Sequence, residues 1–111
     1  MSETVSIQEF SRLDLRVGRA SEVRDHPNAD KLYVFDVDLG PDLGARQMVA
    51  GLKPYMPADA LKGKLVVVVA NLEPAVLRGQ RSEGMLLAAQ DGGRVVILTT
   101  AEPVSPGSRI R

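Results

Sequence analysis

The sequence predicts an all-β fold, a small five-stranded barrel with short helices at its margins. Three observations carry this. Residues 33–39 alternate strictly, with Tyr33, Phe35, Val37 and Leu39 on one face and Val34, Asp36 and Asp38 on the other, the period of a strand. Residues 64–72, "KLVVVVANL", form a β-branched run suited to a central strand buried on both faces. Between such runs lie clusters of Gly, Pro, Asn and Asp, which punctuate strands.

Taken in order, the chain opens with a short helix. Ser6 followed three residues later by Glu9 is the capping-box pattern, and Ile7, Phe10 and Leu13 recur at helical spacing. So short a helix must dock on something, and a dimer contact would satisfy it. From Asp14 the period becomes two, with Leu15 and Val17 opposed to Asp14 and Arg16. The apolar phase then slips to Ala20 and Val23, which predicts a β-bulge at Gly18. Residues 25–30, "DHPNAD", are turn chemistry before the second strand at 33–39. "GPDLG" at 40–44 predicts a turn, and "ARQMVAG" a third strand closed by Gly51.

Pro57 at a first helical position and Gly63 just past the end predict a single helical turn. The fourth strand follows, then a long loop. "GMLLAA" is a fifth strand, Asp91-Gly92-Gly93 a hairpin turn into "RVVILT", and the Pro/Gly-rich tail supplies one edge strand. Five core strands with a short helix between the third and fourth follow the order of an OB-fold. That Greek-key barrel binds oligonucleotides on strands 2–3 and on the loops joining strands 1–2 and 4–5. A generic β-sandwich is the competing architecture.

The length of 111 residues predicts one domain, 1–111, around one core, with no repeat or linker. Cysteine is absent, which excludes disulfides, thiolate metal sites and cysteine nucleophiles. The polar start "MSETVSIQEF" does not resemble a signal peptide, and the longest apolar run is far too short to span a bilayer, so a cytoplasmic protein is expected. Met1 and the C-terminal segment suggest a whole gene product. Lys+Arg and Asp+Glu balance at 14 each, so the case for a nucleic-acid partner rests on local distribution. Residues 43–64 are locally basic and residues 25–42 locally acidic.

One stretch carries more chemistry than a connector needs. "RGQRSEGM" at 78–85 joins two apolar runs yet holds Arg78, Arg81, Ser82, Glu83 and Met85. On the barrel map it lies at the same end as "DHPNADK", beside an outer face carrying Lys31, Arg46 and Gln47. Cationic groups there suit phosphate, and Asn71, Gln47 and Ser82 offer donors and acceptors for base edges or ribose hydroxyls. Each residue also has a duller reading. Asn71 could close a turn through its own backbone, and Ser82 to Met85 could be an end cap with a core methionine. Glu83 could merely pair with Arg81 or Arg78 at the surface.

Catalysis is not expected. His26, the sole histidine, lies in a Pro-Asn loop that suits a solvated turn residue, and Ser82 has no evident base beyond it. HExxH, P-loop and GxGxxG patterns are absent, and no metal or cofactor is implied. The aromatic stock is Phe10, Tyr33, Phe35 and Tyr55, two of them on the predicted core face. Stacking platforms are therefore scarce, and RNA would be held by charge, hydrogen bonds and shape, with one base set against Met85.

"LDLRVGRASEV", "NADKLYVFDVDLG", "RQMVAGL", "KLVVVVANLEPAVLRGQRSEGMLLAA" and "VSPGSRIR" together resemble the tRNA-binding domain family, from about Phe10 to Arg111. That family includes the stand-alone bacterial structure-specific tRNA-binding protein and the C-terminal extension of methionyl-tRNA synthetases. Its most specific parts here are Asp14 to Gly18, Asp30-Lys31-Leu32 and Ser82-Glu83-Gly84-Met85. The resemblance implies an OB-fold homodimer joined by its N- and C-terminal segments. It further implies recognition of tRNA shape with little dependence on sequence, no catalysis, and an accessory role beside an aminoacyl-tRNA synthetase.

Carried across, the RNA-facing residues are Lys31, Arg46, Gln47, Asn71, Arg78, Arg81, Ser82 and Met85, with Glu83 orienting the loop. A sister branch, the CsaA-type export chaperones, binds unfolded polypeptide and typically reads Ser-Glu-Val-Leu where this chain has Ser82-Glu83-Gly84-Met85, so the sequence sides with the tRNA binders. Nucleic-acid binders of the family are often basic. A neutral chain suits a weak auxiliary module.

Overall fold

The computed structural model describes residues 3–111. In chain order the elements are α1 (Ile7–Phe10), β1 (Leu15–Asp25), β2 (Tyr33–Asp38), α2 (Gly40–Leu43), β3 (Ala45–Ala50), α3 (Ala58–Leu61) and β4 (Leu65–Val69). There follow β5 (Ala75–Leu77), β6 (Gln80–Ser82), β7 (Met85–Leu86), β8 (Ala88–Asp91) and β9 (Arg94–Ile97). An antiparallel sheet in the order β3-β2-β1-β4-β7 forms the barrel. Its two edges approach each other where the Glu83 amide donates to Gln47 O at 2.8 Å and the Val49 amide to Ser82 Oγ at 3.0 Å. The result is a nearly closed five-stranded barrel of the OB type, as expected.

Alternation builds its interior. Tyr33, Phe35, Val37 and Leu39 of the β2 region meet Met48 of β3, Ala20 of β1, and Val66 and Val68 of β4, all buried. α3 closes the bottom by inserting Leu61, which is fully buried. Each buried Val, Leu, Phe or Met side chain among them contributes about 1.5–3 kcal/mol of transfer free energy. The Tyr33 hydroxyl, which could not be buried unpaired, donates to Met56 O at 2.9 Å. Val34 and its cross-strand partner Val49 are buried too, so this part of the outer face of β2 and β3 is not open to solvent.

β1 serves two neighbours. Arg19 to Asp25 pair with β2, while Leu15 to Arg19 pair with β4. The edge that β2 leaves free beside residues 15–17 is taken by the C-terminal segment. Gly107 N donates to Val17 O, Val17 N to Ser108 O, and Ile110 N to Leu15 O, at 2.7–2.9 Å. This is the edge strand expected of the tail, shortened to a bridge between Arg16 and Arg109.

Four local readings change. The bulge in β1 falls between Ser21 and Arg24, with Glu22 at φ 49°, and not at Gly18. Gly18 is required for close packing instead: a Cβ there would lie 2.3 Å from Val37 Cγ1 and 2.8 Å from Leu39 Cδ2. The "GPDLG" turn winds into the one-turn α2, and Pro57 is the N-cap of α3, not its first helical residue. The stretch at 78–85, expected as loop, contains most of a small hairpin. α1 forms with its capping box complete, yet Val5, Ile7, Phe10 and Leu13 stay exposed, so within one copy of the chain its apolar side is not covered.

Replacing Gly18 by Ala should lower the unfolding free energy by about 1–3 kcal/mol, the range for overpacking a filled core. Urea unfolding would measure it, and an unchanged midpoint would contradict the close-approach assignment.

Candidate nucleic-acid interface

Residues 75–82 pair as Ala75 with Ser82, Val76 with Arg81 and Leu77 with Gln80. Arg78 (φ 53°) and Gly79 (φ 90°) form the two-residue turn, in the left-handed region that matches the twist of a tight hairpin. A six-residue ladder with exposed Val76 and Leu77 does not hold itself together. Its order comes from fastening at both ends.

At the base, Gln47 Nε2 donates to Arg81 O at 2.8 Å. The Ser82 hydroxyl accepts from Val49 N and donates to Gly84 O, both at 3.0 Å, in a fully buried position. At the tip, His26 Nδ1 accepts from Asn28 N at 2.9 Å, so its proton sits on Nε2, which donates to Leu77 O at 2.9 Å. Arg78 Nη2 returns the contact by donating to Asn28 O at 3.1 Å. The loop between β1 and β2 and the hairpin after β4 are thereby zipped together. The expectation of a solvated His26 is corrected: it is buried because Leu77, far away in sequence, supplies its acceptor.

The zipper brings Lys31 and Arg78 to one depression of about 340 Å³, lined also by Ala29, Asp30 and Leu32. Arg81 is exposed on the β6 side of the hairpin, 3.8 Å from Glu83 in a surface pair worth roughly 0–1 kcal/mol. Met85 is half-exposed on β7. Gln47 faces outward between Arg24, whose Nη2 donates to its Oε1 at 2.9 Å, and the Arg81 carbonyl. Arg24, also 3.8 Å from Asp36, adjoins the base of the hairpin through Gln47 and was not singled out from sequence. Its only signal is its place beyond the bulge.

Three expected ligand-facing residues stand differently. Ser82 is buried with both functions of its hydroxyl engaged, so here it positions the hairpin. Arg46 does not share a face with Gln47, because neighbours in a strand point to opposite sides. The Arg46 guanidinium instead donates to Ala70 O. Asn71 joins it at that end, holding the chain before β1: its Oδ1 accepts from Asp14 N at 2.8 Å and its Nδ2 donates to Arg12 O at 2.7 Å. These partners also replace the self-closed turn considered for Asn71. The expected single cradle is thus two groups. Lys31, Arg78 and Arg81 gather around the hairpin, and Arg46 with Asn71 lies near the start of β1.

Asp14 organises the second group. Arg16 Nε lies 2.6 Å from its Oδ1. That bond holds the carboxyl below the ordinary value of 3.8, against partial desolvation, with the charges of Arg16, Arg109 and Arg46 adding to the effect.

Residues 15–109 match the family described as "Putative tRNA binding domain". The chain belongs to this tRNA-binding domain family. Its sequence is 58% identical over 109 residues to the methionine–tRNA ligase of Thermococcus kodakarensis, a match covering 98% of this chain and 14% of that protein. The chain thus spans about one seventh of the length of the curated relatives it matches. Among solved structures, the MetRS-related protein of Pyrococcus horikoshii superposes with a TM-score of 0.91 at 30% identity, covering 99% of this chain and all of the other. The CsaA chaperone protein of Picrophilus torridus superposes with a TM-score of 0.90 at 30% identity, covering 97% of this chain and all of the other. Among the described residues, no helix is long and apolar enough to cross a membrane.

Ser82→Ala should leave the buried Val49 amide without an acceptor and cost about 1–3 kcal/mol of stability, read by thermal unfolding, while changing no charge. Asp14 has a folded-state pKa below its unfolded value, so it stabilises the fold above the unfolded value, and this contribution is lost as pH falls through the folded one. Asp14→Asn should therefore show a shallower loss of stability than the parent chain when pH is lowered below about 4. Parallel acid-unfolding curves would contradict it.

Proposed function

We propose that this chain binds tRNA through the hairpin at 75–82 and the loop at 26–32, recognising folded backbone shape with little dependence on sequence. The observation that carries this reading is the depression shared by Lys31 and Arg78, two cations with no ion-pair partner among the described residues. Family membership gives the reading its ligand. In this reading Arg81, exposed on the same hairpin, adds a third cation, and the half-exposed Met85 offers an apolar surface to a base. Gln47 and Ser82 hold the hairpin, and Arg46 and Asn71 serve the second group.

The chain performs no catalysis in this reading. It acts in the cytoplasm as a module that raises the tRNA affinity of an aminoacyl-tRNA synthetase, methionyl-tRNA synthetase in particular. It works as a homodimer. The exposed Val5, Ile7, Phe10 and Leu13 beside α1 support this, since a one-turn helix gains its stability from burial.

A second reading, a CsaA-like chaperone of unfolded polypeptide, draws on the exposed Val76, Leu77 and Met85 as well as on the structural likeness. Filter binding of mixed tRNA across a KCl titration separates the two. Arg78→Ala and Arg81→Ala should each weaken binding about uniformly across tRNAs and reduce the salt slope by about 1. Unchanged affinity in both, with suppression of client aggregation that is insensitive to salt, would favour the chaperone. Sedimentation should give twice the 12.0 kDa chain mass. A concentration-independent monomer would contradict the homodimer.

A further inference from the structure

We propose that His26 makes the RNA face sensitive to protons: a second proton on its ring unfastens the hairpin from the loop at 26–32, so that tRNA is released on mild acidification. This rests on the tRNA-binding reading above and adds regulation to the same site.

The geometry admits one protonation state of the ring. His26 is 5% exposed, with its two nitrogens engaged by backbone groups from different segments. The Asn28 amide can only donate, so Nδ1 must present a lone pair to it. The Leu77 carbonyl can only accept, so Nε2 must carry the proton. Neutral imidazole meets both demands. Imidazolium cannot, because a proton on Nδ1 would point at the proton of the Asn28 amide, whose nitrogen is 2.9 Å away. The ring then has to leave, and the amide loses its acceptor.

The surroundings offer the charged ring no compensation. On the elements around it stand Asp25 at the end of β1, Asp30 and Lys31 of its own loop, and Arg78, Arg81 and Glu83 of the hairpin. Asp25 is paired at 3.2 Å with Lys53 from the segment after β3, and Arg81 with Glu83 at 3.8 Å. Among the described residues no carboxylate bonds the imidazole.

The consequence reaches the RNA face directly. Arg78 Nη2 donates at 3.1 Å to the carbonyl of the same Asn28, and Lys31 follows on that loop. Displacing Asn28 removes the anchor of Arg78 and parts the two cations that share the depression. The new charge alone would attract phosphate, but a buried ring reaches phosphate only after the zipper has opened. Composition isolates the effect: the chain has one histidine and no cysteine. Apart from the terminal amine, no other ordinary protein group changes charge between about pH 5 and 8.

The test is retention of mixed tRNA at fixed KCl from about pH 8 to about pH 5.5 for the full chain, His26→Asn and His26→Gln. Imidazole and amide NMR of the free chain covers the same range. Asn offers an oxygen to the Asn28 amide and Gln an amide to the Leu77 carbonyl, and neither titrates. Parent affinity should fall about tenfold on acidification, the order of one lost hydrogen bond. Each variant, whatever its affinity at the upper pH, should hold that value throughout. In the free parent chain the amides of Asn28 and residues 77–79 should shift together with the ring signals. Parent binding that stays flat or strengthens as pH falls would overturn the proposal. A fall that persists in both variants would overturn it too, assigning the proton to the RNA or the terminal amine. Static amides at 28 and 77–79 while the ring titrates would do the same and leave tRNA binding standing. Failure of the parent to retain tRNA at about pH 8 would remove the tRNA reading, and the release with it.

Discussion

The contact between residues 81–84 and β3 is the constraint on which the remainder depends. Gln47 grips the Arg81 carbonyl with its side chain and the Glu83 amide with its own carbonyl, while Ser82 spans Val49 N and Gly84 O. These bonds bring the segment leading into edge strand β7 against the other edge, β3, and nearly close the sheet. They also fix the base of a hairpin too short to order itself. Gly84 lets the chain through: at φ +138° a Cβ would lie 2.7 Å from Met48 Cε and 3.0 Å from Val69 O. Barrel closure and presentation of Arg78 and Arg81 are consequences of the same few hydrogen bonds.

A neutral chain acquires local charge by this folding. Several acids are engaged near cations: Asp14 with Arg16, Asp25 with Lys53, Asp36 with Arg24, Glu83 with Arg81. Among the described residues, Lys31, Arg78 and Arg109 have no such pair. Net charge over the sequence is therefore a poor guide to affinity for phosphate. What matters is which cations the fold leaves free and how rigidly it holds them. The buried His26 contributes rigidity, since loss of its imidazole would release both the Asn28 amide and the Leu77 carbonyl at once.

The barrel was legible because its signals are local. Alternation over 33–39 and the valine run at 65–69 each fix a strand within a few residues, and Ser6 with Glu9 writes the start of α1. The hairpin was not legible: its strands are three residues long, Val76 and Leu77 lie exposed where alternation carries no meaning, and its turn puts a non-glycine residue at positive φ. His26 and Ser82 owe their burial to partners 51 and 33 positions away, and no spacing in the sequence announces those. The bulge was misplaced because Gly18 answers to Val37 and Leu39 across the core. The division between Arg46 and Gln47, by contrast, follows from strand alternation alone and could have been drawn at the outset.

Backbone amide hydrogen exchange of the full chain, with and without saturating mixed tRNA at low salt, tests most directly whether the fastened hairpin is the RNA face. Added protection should concentrate in residues 26–32 and 75–83. Protection confined to β8, β9 and their turn, with 75–83 exchanging as in the free protein, would contradict it.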